Sequence, residues 1–246
     1  VKALSQSILG VAVVAMLLYN MWVPNGAGFQ DPFLARIMFT HLPSALICSV
    51  LFIMSAWYGF KTLKNYNSES AVKLHATAEL GLLFAIFTMV TGIIFSKIQW
   101  GEWWHGDPRQ VSFLIVLFLY GSLIALRSAY PDQIRRDRNT AAYSLSLLIP
   151  GMFLIFVYPR LNFVKQQTLH PNDTIIQDQL DIYYKIGLYG SVLVLSFVVA
   201  AIFKLRVKTE LQARKLENHG NYQTRSSNPT DSGVVRPVAL SPNDHE

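Results

Sequence analysis

Three of the chain's five tryptophans fall within five positions, in the stretch Trp100-Gly101-Glu102-Trp103-Trp104-His105-Gly106-Asp107-Pro108-Arg109. Indole is large and amphipathic, and it is favoured where one side is dry and the other wet. An interfacial aromatic belt would use that property. A belt does not explain the density of indoles, nor Gly101 and Gly106, which let a backbone turn tightly or approach another surface. The alternative is an aromatic platform for a large flat ligand, with the Arg109 guanidinium available to its acidic groups. Asp107 also has a purely structural reading. Asp107-Pro108-Arg109-Gln110 has the order of an N-cap, a proline at the first helical position and a capping-box glutamine.

The elements that position this stretch follow from composition. Of 246 residues, 52% are hydrophobic and only 15% are charged, whereas a soluble domain carries about a quarter charged. The chain reads as a membrane protein with a polar tail. Its formal net charge of +6 reports orientation in a membrane before it reports a nucleic-acid partner, and none is expected. Cys48, the single cysteine, lies in an apolar run and reads as a small core residue. It excludes an intrachain disulfide, and without a C-x-x-C-H motif the chain attaches no haem covalently.

The hydrophobic runs predict an all-α polytopic fold with six transmembrane helices, at about 4–23, 33–60, 74–96, 108–130, 141–158 and 186–203. These make a membrane domain over 1–205. A polar tail over 206–246 is expected to be disordered beyond a short helical continuation. The first run is too long for a cleaved signal peptide and no A-x-A site follows it, so a retained helix is expected. Asp31-Pro32 marks the start of the second span, Pro43 should bend it, and Pro150 should kink the fifth. Glu79 is expected near enough to the interface to be solvated, with a buried polar contact as the weaker alternative, because a carboxylate at mid-span costs about 2.5–3.5 kcal/mol. Arg135, Arg136 and Arg138 are expected in a short basic loop.

Lysines and arginines concentrate after the second, fourth and sixth spans, together with Lys2. The positive-inside rule then places both termini in the cytoplasm. With six spans, His41, the tryptophan connector and His170 share the outer face, while His75, His219 and His245 fall on the inner side. Neutral imidazole is a common metal ligand, and a haem iron accepts one from each side. Its porphyrin needs flat apolar contacts, and its propionates need cations such as Arg36 and Arg109. Any one of these histidines alone is more often an interfacial hydrogen-bonding residue. The combination on one face is what points to haem. His105 is a rival ligand that spacing does not exclude.

At these residues the chain resembles the cytochrome c maturation protein C family, haem-handling membrane proteins with a WWD motif. Arg36-Ile37 through His41-Leu42-Pro43 is similar to that family's first histidine region, and Thr168-Leu169-His170 to its second. Val90-Thr91-Gly92 matches the run ahead of the motif and Leu117-Phe118-Leu119-Tyr120 the run behind it. The resemblance covers about residues 5–205 and leaves out the tail. It implies that His41 and His170 are axial ligands of a haem b bound as transient cargo. It also implies that Trp100, Gly101, Trp103, Trp104, Asp107 and Arg109 form a platform and its edge. Two departures stand out: Gly106 occupies a place where the family has another tryptophan, and Gln110-Val111 replaces Leu-Thr.

The function implied is haem handling and transfer rather than enzymatic catalysis. Haem would be held at the periplasmic face of a bacterial inner membrane and passed to a periplasmic haem chaperone. An ATP-driven transporter complex would assist, with membrane lipid around the bundle. One alternative is a b-type cytochrome carrying electrons, whose histidines should face one another inside the bundle. Another is a haem permease, which should place polar or broken segments near the midplane. A haem ligase of the same superfamily is argued against by chain length.

Overall fold

A computed structural model describes residues 2–25, 29–170 and 181–226, with side chains over 6–25, 29–170 and 181–217. The side chain of His219, all of His245 and the tail from 227 onward lie outside the described residues. Helix α1 spans Lys2–Trp22, α2 Met38–Lys64, α3 Ser68–Trp100 and α4 Pro108–Ser128. Helix α5 spans Gln133–Met152, α6 Asn162–Lys165 and α7 Ile182–Ser226. Among the described residues there is no strand. Five helical segments, Leu34–Lys64, Ser68–Trp100, Pro108–Ser128, Gln133–Arg160 and Ile182–Glu217, are long and apolar enough to cross a membrane. A shorter apolar segment, Gln6–Trp22, lies within α1. The protein is an all-α, multi-span membrane protein, as the hydrophobic runs require.

Local chemistry sets the helix boundaries. Asp31 Oδ1 accepts from the Leu34 backbone N–H and starts a 3-10 turn, Leu34–Ile37, that leads into α2. Helix α2 runs through Pro43. Asn67 caps α3 by accepting from Ser70 N, so that helix begins six residues before its apolar run. Asp132 caps α5 through Arg135 N. Arg135, Arg136 and Arg138 therefore lie in the first turns of α5, not in the basic loop expected of them. Past Pro150 the backbone changes to a π-helical turn, Phe153–Val157, and then a 3-10 turn, Tyr158–Arg160. Proline supplies no N–H to the carbonyl one turn back and crowds it, so regular α geometry is hard to sustain there.

Helix α2 packs along α3, with α5 and α7 against them. The centre of the bundle holds Cys48, Phe52, Ala78, Ala85, Val116, Tyr120, Leu123 and Leu147. Phe52 and Tyr120 stack there at a ring separation of 3.4 Å. Cys48 is fully buried.

One end of the bundle is held by an ion network. His75 Nε2 lies 2.7 Å from Asp137 Oδ1, and Arg214 donates to Asp137 Oδ2 at 2.9 Å. Tyr66 donates to the same carboxylate at 3.1 Å. Glu79 pairs with Arg127, and with Arg206 at 3.0 Å. Glu210 joins Arg206 at 3.0 Å and Arg127 at 3.2 Å. Glu79 is thus paired to guanidiniums from two other helices rather than left to water. Arg206, Glu210 and Arg214 recur every four residues and so share one face of α7. That polar stripe carries the helix past the apolar run, which ends near 203. The charged segment stays helical because its charges are met by α3, α4 and α5.

Asp137 is fully buried, so removing it leaves the buried Arg214 with only its longer contact to Glu210, at 3.4 Å, as counter-charge. Asp137→Ala is expected to destabilise the bundle by about 3–5 kcal/mol, the usual cost of breaking a buried pair from one side. Thermal unfolding of the detergent-solubilised chain measures it. An unchanged midpoint would show that the network carries no stability.

Candidate functional site

The opposite end of α3 gathers the residues that could bind a flat ligand. From His75 to Trp100 the helix advances 25 residues, roughly 38 Å at 1.5 Å per residue. There Gly101 closes the helix at φ +88°, a left-handed conformation that favours glycine. Lys97 Nζ donates to the Gly101 carbonyl at 2.8 Å, and Ser96 Oγ to that of Glu102 at 2.9 Å. Gln99, just before Trp100, holds the connector ahead of α2. Its Oε1 accepts from Gln30 N at 2.9 Å, and its Nε2 donates to the Asp31 carbonyl at 2.9 Å.

His41 lies at the start of α2 and is fixed from α3. Its Nδ1 is 3.1 Å from the Thr88 carbonyl and 3.1 Å from Thr91 Oγ1. A carbonyl can only accept, so Nδ1 carries the proton and Nε2 keeps its lone pair. The ring rests on Gly92, where a Cβ would come within 2.8 Å of Cε1. Thr91 and Gly92 belong to the run Val90-Thr91-Gly92 that carries part of the resemblance, but nothing in the sequence ties them to His41.

His170 is held by the connector that begins α4. Asp107 caps that helix, its Oδ1 accepting from Arg109 N at 2.8 Å. Its Oδ2 accepts from Thr168 Oγ1 at 2.8 Å and from Leu169 N at 2.6 Å. His170 Nδ1 lies 3.3 Å from Asp107 Oδ1, within ion-pair range but off the line of a straight hydrogen bond. Burial opposes the charge on Asp107. The His170 imidazole and the N–H groups of Leu169 and Arg109 outweigh it and hold the carboxyl well below the usual carboxylate range. Gln110 does not complete a capping box. Its Oε1 accepts from His105 N at 3.2 Å instead, which closes the tryptophan turn on itself.

Trp100 joins these parts. Its ring meets His170 edge-on at 5.4 Å, His105 at 6.2 Å and Phe95 at 5.5 Å. His170 thus packs against the tryptophan turn, and His41, 129 positions away in sequence, sits against the half of α3 that leads to Trp100. Trp103 and Trp104 stand exposed at the rim, by 56% and 41%, so their faces are open to a ligand. Gly106 has φ +66°. A tryptophan there would be strained, so this turn takes a shape of its own. His105 lies 3.8 Å from Glu102 through Nδ1 and keeps its place beside Trp100.

Two cationic groups border the site. Arg36 donates through Nη2 to the Val23 carbonyl and lies 4.6 Å over the Phe33 ring. Its Nε and Nη1 are buried without a hydrogen-bond partner among the described residues. Arg109 and Arg160 lie within electrostatic range of each other. Like charges in range of one another favour an anion nearby. Arg160 leaves no motif in sequence; the 3-10 turn after the π turn brings it to this end.

The family model described as heme exporter protein C matches residues 2–221. The chain is 26% identical over 218 residues to heme exporter protein C of Rhodobacter capsulatus, covering 85% of this chain and 87% of that one. It is also 26% identical over 184 residues to the Paracoccus denitrificans protein of the same name, covering 74% and 75%. With the Escherichia coli K12 protein, again named heme exporter protein C, it shares 31% identity over 155 residues, 63% of this chain and 61% of the relative.

Gly92→Ala tests the seat of His41. The added carbon displaces the imidazole, and both Nδ1 contacts are lost or lengthened. An overpacking penalty of about 1–3 kcal/mol is expected. Gly121→Ala, also mid-helix but with open space around the new carbon, is expected to be neutral or mildly stabilising. Thermal unfolding of the two variants side by side distinguishes them; equal midpoints would remove the steric argument.

Proposed function

The chain belongs to the heme exporter protein C family, and from that membership and the geometry of the site we propose that it carries haem b as cargo for cytochrome c biogenesis. The observation that carries the proposal is the pair of imidazoles at one end of the bundle. His41 spends Nδ1 on the Thr88 carbonyl, His170 turns Nδ1 toward Asp107, and each keeps Nε2 for a metal. The porphyrin plane rests against the indoles of Trp100, Trp103 and Trp104, with Gly101 setting the turn that presents them. Arg36, with two unspent donors, and Arg109, with Arg160 beside it, suit the two propionates.

The chain has the fixed ligand on a span and the second on a connector. Connectors occupy the less stable end of a structure, and two exposed indoles leave the site open to solvent. Both features suit a protein that must give its ligand up. The recipient is a periplasmic haem chaperone, and an ABC transporter complex works with this chain at the bacterial inner membrane. In this reading both termini are cytoplasmic and the site faces the periplasm. The ion network then stands on the cytoplasmic side, and residues 1–205 form the haem-handling domain. The chain makes no covalent bond to haem; it is a handling and transfer component.

Haem content per folded chain and the absorption spectrum test the proposal. His41→Ala and His170→Ala are each expected to lower co-purified haem severalfold and to shift the Soret band. His75→Ala, at the far end of α3, leaves both at the parent level. Equal losses from all three would overturn the assignment. Trp103→Ala with Trp104→Ala is expected to weaken retention without lowering the unfolding midpoint, and parent-level haem in that double variant would remove the platform.

A further inference from the structure

We propose that Asp107 is a positioning residue rather than a haem contact. With Thr168 and the Leu169 backbone it forms a latch that holds the His170 connector onto the start of α4 and presents His170 Nε2 to the metal. The inference rests on His170 serving as an axial ligand.

An ionised carboxylate has about four lone-pair sites. At Asp107 three donors fill most of them: Arg109 N at 2.8 Å, Thr168 Oγ1 at 2.8 Å and Leu169 N at 2.6 Å, with His170 Nδ1 in ion-pair range at 3.3 Å. The side chain is 3% exposed. Little acceptor capacity is left for a ligand, and its negative charge would repel a propionate. Its partners come from two places far apart in sequence, the first turn of α4 and the connector at 168–170. The carboxylate beside His170 Nδ1, at 3.3 Å, favours a proton on that nitrogen and so leaves the lone pair on Nε2. The loop bonds fix where that nitrogen sits. Opening the latch would withdraw one axial ligand while leaving His41, seated on α3, in place. Asymmetry of this kind gives release a defined first step.

Helix capping and latching separate by substitution. Asp107→Ser retains a good N-cap but is too short to hold the connector, and Thr168→Val removes one latch bond with the cap intact. The full-length chain in detergent is titrated with ferric haem, with His170→Ala alongside. Asp107→Ser is expected to bind haem about 10–100-fold more weakly, the usual effect of removing a partner that orients a metal-bound histidine. Its spectrum should move from low-spin toward single-imidazole ligation, and free imidazole should restore the low-spin form. Thr168→Val is expected to change affinity and spectrum in the same direction by less, and it carries the test should Asp107→Ser fail to fold.

Parent affinity and spectrum in both latch variants, with loss in His170→Ala, would overturn the latch and leave His170 as ligand. Weak binding that imidazole does not restore, with a parent-like spectrum on the residual haem, would make Asp107 a direct contact and overturn positioning. Parent behaviour in His170→Ala would remove both readings together.

Discussion

An imidazole has two nitrogens, and at two places in this bundle the protein engages one and leaves the other. That constraint organises the end of the molecule around Trp100. For His41 the acceptor is a helix carbonyl, Thr88, which cannot exchange roles and therefore fixes the tautomer. For His170 the neighbour, in ion-pair range, is a carboxylate already committed to a helix cap and a loop. Thr91, Gly92, Thr168 and the shape of the tryptophan turn follow from the need to hold those two rings. Without them, polar side chains inside or against a membrane would be an unrecovered desolvation cost.

The two ends of α3 answer that cost differently. At one end Asp137, Glu79 and Glu210 are met by Arg214, Arg127 and Arg206, so charge is consumed within the bundle. At the other, Arg36 retains two buried donors without a hydrogen-bond partner among the described residues. A histidine takes part at each end, yet only one end leaves imidazole nitrogens and guanidinium donors for something else. His75, bonded to Asp137 through Nε2, belongs to the architecture. His41 and His170 belong to the site.

Much of this is legible from the residues alone. Apolar run lengths predict the spans, and Asp107-Pro108 predicts a helix start that the structure bears out; Asp31-Pro32, read the same way, opens only the 3-10 turn Leu34–Ile37, and α2 itself starts at Met38. Parity of the spans predicts that His41, the tryptophans and His170 lie at one end. What escapes is whatever depends on a distant partner. Arg135 to Arg138 read as a loop because charge suggests exposure, but Asp132 caps them into a helix. Past the sixth apolar run only a short helical continuation is legible; α7 runs on to Ser226, and over Arg206, Glu210 and Arg214 three other helices supply the counter-charges. Asp107 reads as a cap or as a ligand contact; its buried bonds to Thr168 and Leu169 become visible only when the connector is folded back on it.

The account turns on both imidazoles reaching one iron. Electron paramagnetic resonance of ferric haem bound to the full-length chain, with histidine nitrogen labelled, reads that directly. The account predicts a low-spin centre with couplings from two histidine nitrogens, one lost in His41→Ala and the other in His170→Ala. A centre whose couplings are unchanged in either variant would contradict it.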